Sequence, residues 1–126
     1  MTTKAHVIIA RLEASLTPLG AFRSRAMFGG HGLYLNDLFF GLIAYDTLYL
    51  KTDETNRSDY VKAHSKPFSF ESNRKGLVTT SYWQCPAETF KDMRKLRRWV
   101  GKALDAARRA KSAKPKRAPR KKDFPF

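Results

Sequence analysis

A single cysteine, Cys85, stands in a chain of 126 residues. That count excludes an internal disulfide framework and a thiolate-rich zinc site, and it fits a reducing compartment. Long hydrophobic runs are missing too. The longest, Leu38 to Tyr45, spans eight residues, against about twenty for a membrane-crossing helix. Residues Met1 to His6 carry neither the apolar stretch nor the small-residue cleavage site of a signal peptide. The expectation is a soluble cytoplasmic protein with no membrane partner. Acidic residues are scarce, 11 against 25 Lys and Arg, leaving a net charge of +14. Such an excess favours polyanionic partners, nucleic acid first among them.

Catalytic and metal-binding patterns are equally thin. The three histidines, His6, His31 and His64, match no local ligand spacing. Gly29-Gly30-His31-Gly32 lacks the lysine and spacing of a phosphate-binding P-loop and the pattern of a dinucleotide fingerprint. It reads instead as a bulged, positive-φ bend between strands. Cys85 precedes Pro86 at a strand-to-helix junction, where a helix N-terminus lowers a thiol pKa. No sequence feature places a base beside it, and a small buried cysteine is the commoner use. Asp53 and Glu54 are explained by helix capping. The sequence therefore points to no catalytic residue, no metal and no cofactor, and to a protein that is not an enzyme.

With 42% hydrophobic and 13% aromatic residues, most of the chain has the means to fold. Ala5, Ile8, Leu12, Leu16 and Leu19 recur at helical spacing, predicting a helix over 4–17, capped by Thr2 or Thr3 and stopped by Pro18 and Gly20. Residues 22–28 alternate. Asn36-Asp37 and Asp46-Thr47 read as tight turns around a central strand from Leu38 to Tyr45, in a three-stranded meander. A short helix is expected at about 54–64. Residues 68–70 and 77–83 form a second hairpin, turned at Asn73 to Gly76. A last helix, about 88–110, carries the apolar stripe Met93, Leu96, Trp99, Val100, Ala103 and Leu104. The order α-β-β-β-α-β-β-α predicts an α+β fold in two layers, an antiparallel sheet with flanking helices. Folding is expected over 1–107. Residues 108–126, which hold nine Lys and Arg and one acid, read as a disordered basic tail.

Several motifs occur together in one order: Arg25-Ala26-Met27-Phe28-Gly29-Gly30-His31-Gly32-Leu33-Tyr34, Leu48 to Asp53 with Asn56-Arg57, Pro67-Phe68-Ser69-Phe70, Ser81-Tyr82-Trp83 with Pro86, and Trp99 to Leu104. Over roughly residues 5–104 the sequence resembles the N-terminal domain of the TfoX/Sxy family. The resemblance implies a two-layer fold, also seen in secretion-chaperone-like domains, and a link to bacterial transcription. Namesake members are positive regulators of competence genes that work with the cAMP receptor protein. They carry a second, helical domain where this sequence has a basic segment. The resemblance brings no catalytic residues with it.

The strongest functional signal is basic. Lys91, Lys95, Arg98 and Lys102 share one side of the last helix, which leads into Arg108, Arg109 and Lys111. Beyond them come Lys114, Lys116, Arg117, Arg120, Lys121 and Lys122. A cationic helix face continued by such an arm suits nonspecific binding to the phosphate backbone, of DNA above all. The alternative is a protein-interaction or self-association module whose basic tail only aids solubility. A patch around Phe28, Tyr34 and Tyr49 would serve that reading.

Overall fold

The computed structural model describes residues 4–27, 30–74 and 76–113. Helix α1 (Lys4–Leu16) runs into a 3-10 turn (Thr17–Leu19). Four strands follow: β1 (Phe22–Met27), β2 (Gly30–Leu35), β3 (Leu38–Ala44) and β4 (Thr47–Lys51). Then come α2 (Arg57–Lys62), β5 (Pro67–Ser72), β6 (Gly76–Gln84), a second 3-10 turn (Ala87–Lys91) and α3 (Met93–Ala113). The strands form one antiparallel sheet in the order β1-β2-β3-β4-β6-β5. The α+β fold with flanking helices is the one the sequence predicts. Its meander has four strands rather than three, because residues 22–27 pair along their whole length with β2.

Turn chemistry sets the meander. Asn36 and Asp37 both adopt positive φ, 50° and 65°, and so do Tyr45 and Asp46, 52° and 59°. These are two-residue turns whose twist matches the strands they join. The second turn falls one residue earlier than expected, since Thr47 already pairs with Ala44. Tyr45 is consequently 76% exposed instead of ending the central strand.

Part of the glycine run belongs to a strand rather than to the bend. Gly30, His31 and Gly32 lie within β2, opposite Met27, Ala26 and Arg25. Phe28 and Gly29 lie outside the described residues. The irregularity sits downstream, where the β2–β3 register shifts between Leu33 and Tyr34. That bulge lets Phe40 and Ile43, three apart, both face the helices. Gly41 allows the close strand packing beside it, because a Cβ there would come within 2.7 Å of the Tyr49 carbonyl oxygen.

One sheet face and the three helices enclose the main core. Leu12, Leu16, Leu33, Phe40, Ile43, Leu48, Leu50, Tyr60, Leu96 and Val100 are its centre. The other face carries a smaller cluster built, among the described residues, from strand side chains: Leu42, Ala44, Phe68 and Tyr82, flanked by Phe39, Tyr49 and Phe70. Rings there reach across an intervening strand: Phe39 and Tyr82 centroids lie 5.7 Å apart although β4 separates their strands. Trp83 belongs to the helix-covered face with Leu50, and Tyr49 to the face opposite Leu50.

The last helix starts and ends later than the spacing predicts. Asp92 is extended and its carboxylate accepts from the Arg94 N–H at 2.8 Å, capping α3. Residues 87–91 form the separate 3-10 turn. At the other end α3 continues through Ala113, so residues 108–113 are helical. Buried Ala106 and Ala107 anchor this stretch, and Arg, Lys and Ala are good helix formers. Met93 is a member of the expected stripe, yet it is 45% exposed because it opens the helix before the packed turns.

Candidate functional site

The outward surface of α3 carries five of the thirteen predicted basic residues: Lys95, Arg98, Lys102, Arg108 and Arg109. Leu96, Val100, Ala103, Leu104 and Ala107 point into the core. On a 3.6-residue helix, that puts Arg94, Arg98, Asp105 and Arg109 near the middle of the opposite side, with Lys95 and Lys102 at one margin and Arg108 at the other. Lys91 is exposed but stands on the 3-10 turn, beyond the break at Asp92, so it does not continue this row. Lys114, Lys116, Arg117, Arg120, Lys121 and Lys122 lie outside the described residues.

Acids answer part of this charge. Lys102 Nζ meets Asp59 Oδ2 of α2 at 2.6 Å. Arg109 forms a two-pronged clamp on Asp53, Nε to Oδ2 at 2.5 Å and Nη2 to Oδ1 at 2.9 Å. Arg108 Nη1 reaches Asp105 Oδ1, three residues back, at 3.0 Å. Lys91, Lys95, Arg98 and Lys111 are exposed, and none has an ion-pair partner within 4.0 Å among the described residues. Of these, Lys95 and Arg98 lie on the outward surface of α3, beside cations already engaged.

Asp53 is more than a helix-start residue. Its Oδ1 accepts from the Thr55 N–H at 2.9 Å, while Asn56 Oδ1 accepts from the Asp53 N–H at 2.8 Å. These bonds build the turn that leads into α2. The hydrogen bonds from the Arg109 guanidinium hold the Asp53 carboxyl below the usual carboxylate range, against a smaller opposing effect of burial. Arg97, which the pattern did not single out, donates from Nε to the Ser15 carbonyl at 3.2 Å and ties α3 to the end of α1.

The remaining candidates fall into structural roles. Cys85 is buried, 3% exposed, with Sγ 2.9 Å from the Thr89 hydroxyl. Burial pushes its thiol up to about 12, with the Thr89 hydrogen bond working in the other direction. A thiol so poised is protonated at neutral pH and is not an activated nucleophile. Burial likewise raises the Tyr60 and Tyr82 phenols. The His6 and His31 rings meet edge to face, centroids 6.5 Å apart. Among the described residues, no cluster of three or more His, Cys, Asp or Glu is arranged to hold a metal ion. None of the described helices is long and apolar enough to cross a membrane.

Sequence spacing identified Lys95, Arg98 and Lys102 but missed their surroundings. Arg94 was legible, four residues before Arg98. Asp105 was legible as well, three before Arg108. The Asp59–Lys102 and Asp53–Arg109 pairs join residues 43 and 56 apart, and only tertiary packing reveals them.

Comparison with known proteins adds the lineage. The model of the TfoX N-terminal domain matches residues 14–107. Protein Sxy of Escherichia coli (strain K12) is 27% identical over 125 residues, an alignment covering 99% of this chain. The chain spans 59% of the length of that relative. A match over three quarters of the sequence, on a fold that the motifs had already indicated, assigns the chain to the TfoX N-terminal domain family.

Proposed function

We propose that this chain is a non-enzymatic regulatory or accessory protein of transcription or competence that binds nucleic acid electrostatically. Binding uses the outward side of α3 and the basic residues after it. The observation that carries this reading is the exposed row Arg94, Lys95 and Arg98, which has no acid within ion-pair distance among the described residues. Lys102, Arg108 and Arg109 border the row with their charge partly met. Cations in such a row exchange condensed counterions for phosphates and read little sequence. The family membership and the similarity to Protein Sxy support a regulatory role.

Fluorescence anisotropy with labelled duplex DNA tests the reading, on the full chain and on one ending after Ala113. That boundary leaves α3 whole, whereas a cut at 107 would remove its last turns. The expected result is binding that falls steeply with salt, with log K declining by about 0.9 per phosphate contact for each tenfold rise in salt. The shortened chain should bind more weakly with a shallower slope. Micromolar binding indifferent to both salt and truncation would contradict the proposal.

One observation favours a second reading, a protein-interaction module. Tyr34, Phe39, Tyr49 and Phe70 are half-buried on the sheet face whose cluster, among the described residues, is made of strand side chains. Phe28, the third member of the patch suggested by sequence, lies outside the described residues. Light scattering on nuclease-treated protein tests this reading: a stable dimer or a co-purifying protein supports it, and a lone monomer opposes it.

A further inference from the structure

A shallow groove runs beside the outward surface of α3. Leu19 and Leu35 give it apolar lining, Arg98, Lys102 and Arg108 give it cationic lining, and Gly101 lines it as well. Asp105 also borders it and holds Arg108. Gly101 is out of place by the usual rules. It occupies the interior of a 21-residue helix, where glycine is a poor helix former. Among the described residues, a Cβ at this position would meet no atom within 4 Å. Packing among these residues gives no reason for a missing side chain here, whereas close approach by another molecule's backbone does.

This inference rests on the nucleic-acid reading above. We infer that the groove seats one sugar–phosphate strand, with phosphate oxygens over Gly101 among Arg98, Lys102 and Arg108. The sugar lies against Leu19, which is 47% exposed and presents an apolar wall. The planar forks of Arg98 and Arg108 suit two-point contact with phosphate. Arg94, Arg98 and Lys102 recur every four residues, about 6 Å apart along the helix axis. That spacing provides repeated cationic positions for a chain bearing a charge at every unit. The seat gives the otherwise diffuse attraction a defined register along α3.

The test uses full-length Gly101→Ala, Gly101→Leu and Leu19→Ser, with duplex anisotropy and thermal unfolding measured in parallel. Gly101→Ala should unfold at or above the wild-type temperature, because a Cβ meets open space and helix propensity rises, and Gly101→Leu is compared at temperatures where its own unfolding curve shows it folded. Gly101→Ala should bind within about twofold of wild type, and Gly101→Leu at least about fivefold more weakly. The salt slope of the leucine variant should fall by about 0.9 for each phosphate contact it displaces. Leu19→Ser should bind about threefold more weakly with unchanged unfolding, which keeps the test decisive if leucine disturbs the helix. Wild-type affinity in both Gly101→Leu and Leu19→Ser, in protein that binds duplex, overturns the seat and leaves the electrostatic proposal standing. If the wild-type chain binds no duplex, both fall. Displacement of duplex by poly-glutamate at equal charge concentration would assign the groove to acidic peptide and overturn the inference.

Discussion

The two sides of α3 obey different rules. Over residues 96–107 the inward side is uncharged and packed, with Val100 and Ala103 fully buried and Leu96 nearly so. It contributes to the fold by removing apolar surface from water. The outward side buries little and carries cations in excess of the acids that reach it. Exposed ion pairs stabilise a fold weakly, so stability does not account for that excess. A helix that needs only its inner side for folding leaves the outer side available for a polyanion. Substitutions should therefore separate cleanly: inner changes affect stability, outer ones affect binding.

The sharpest way to break this division is Leu96→Ala. Loss of a fully packed leucine should cost about 2–5 kcal/mol in urea unfolding. Duplex affinity should stay near wild type wherever the variant remains folded. The reciprocal change is Lys95→Glu with Arg98→Glu. Affinity for duplex at low salt should drop at least about tenfold, while stability moves by less than about 0.5 kcal/mol, as is usual for exposed positions. A large loss of stability in the charge-reversed protein would blur the two sides into one.

Asp59→Asn refines the comparison at the boundary between engaged and free cations. Releasing Lys102 from its carboxylate should tighten duplex binding by up to about fivefold, the scale of an exposed ion pair. Unchanged affinity would show that Lys102 is not at the binding surface.

The smallest expected effect is in pH. Arg109 holds the Asp53 carboxyl low in the folded protein. A carboxylate whose folded pKa lies below its unfolded value, near 3.9, adds stability above that value and loses it as pH falls through the folded one. The stability gap between wild type and Asp53→Asn should thus be present at pH 7. It should narrow from about pH 5 downward, measured as urea midpoints across that range. A gap that widens on acidification would mean the clamp has been misread.

Much of the fold was legible because local rules and global packing agree. Asn36-Asp37 announces its turn, and the Leu96, Val100, Ala103 and Leu104 spacing announces the inner side of α3. The bulge beside Leu33 and Tyr34 was not legible, because it depends on cross-strand register. Strict alternation along β3 would have sent Phe40 and Ile43 to opposite faces. The glycine run was only partly legible: Gly30 and Gly32 pair within β2, although their composition suggests a bend. For the candidate site, spacing located the cations, but the acids that meet Lys102 and Arg109 arrive from the segment around α2. Such partners are fixed only when α2 docks beside α3, where Tyr60 meets Trp99 with ring centroids 4.7 Å apart.

The most direct test of the central claim is the salt slope of duplex binding for full-length wild type against Lys95→Ala/Arg98→Ala. If these two side chains contact phosphate, the slope of log K against log salt should become shallower by about 1.8, two contacts at about 0.9 each. An identical slope, with the same affinity at low salt, would show that the exposed row on α3 is not where nucleic acid binds.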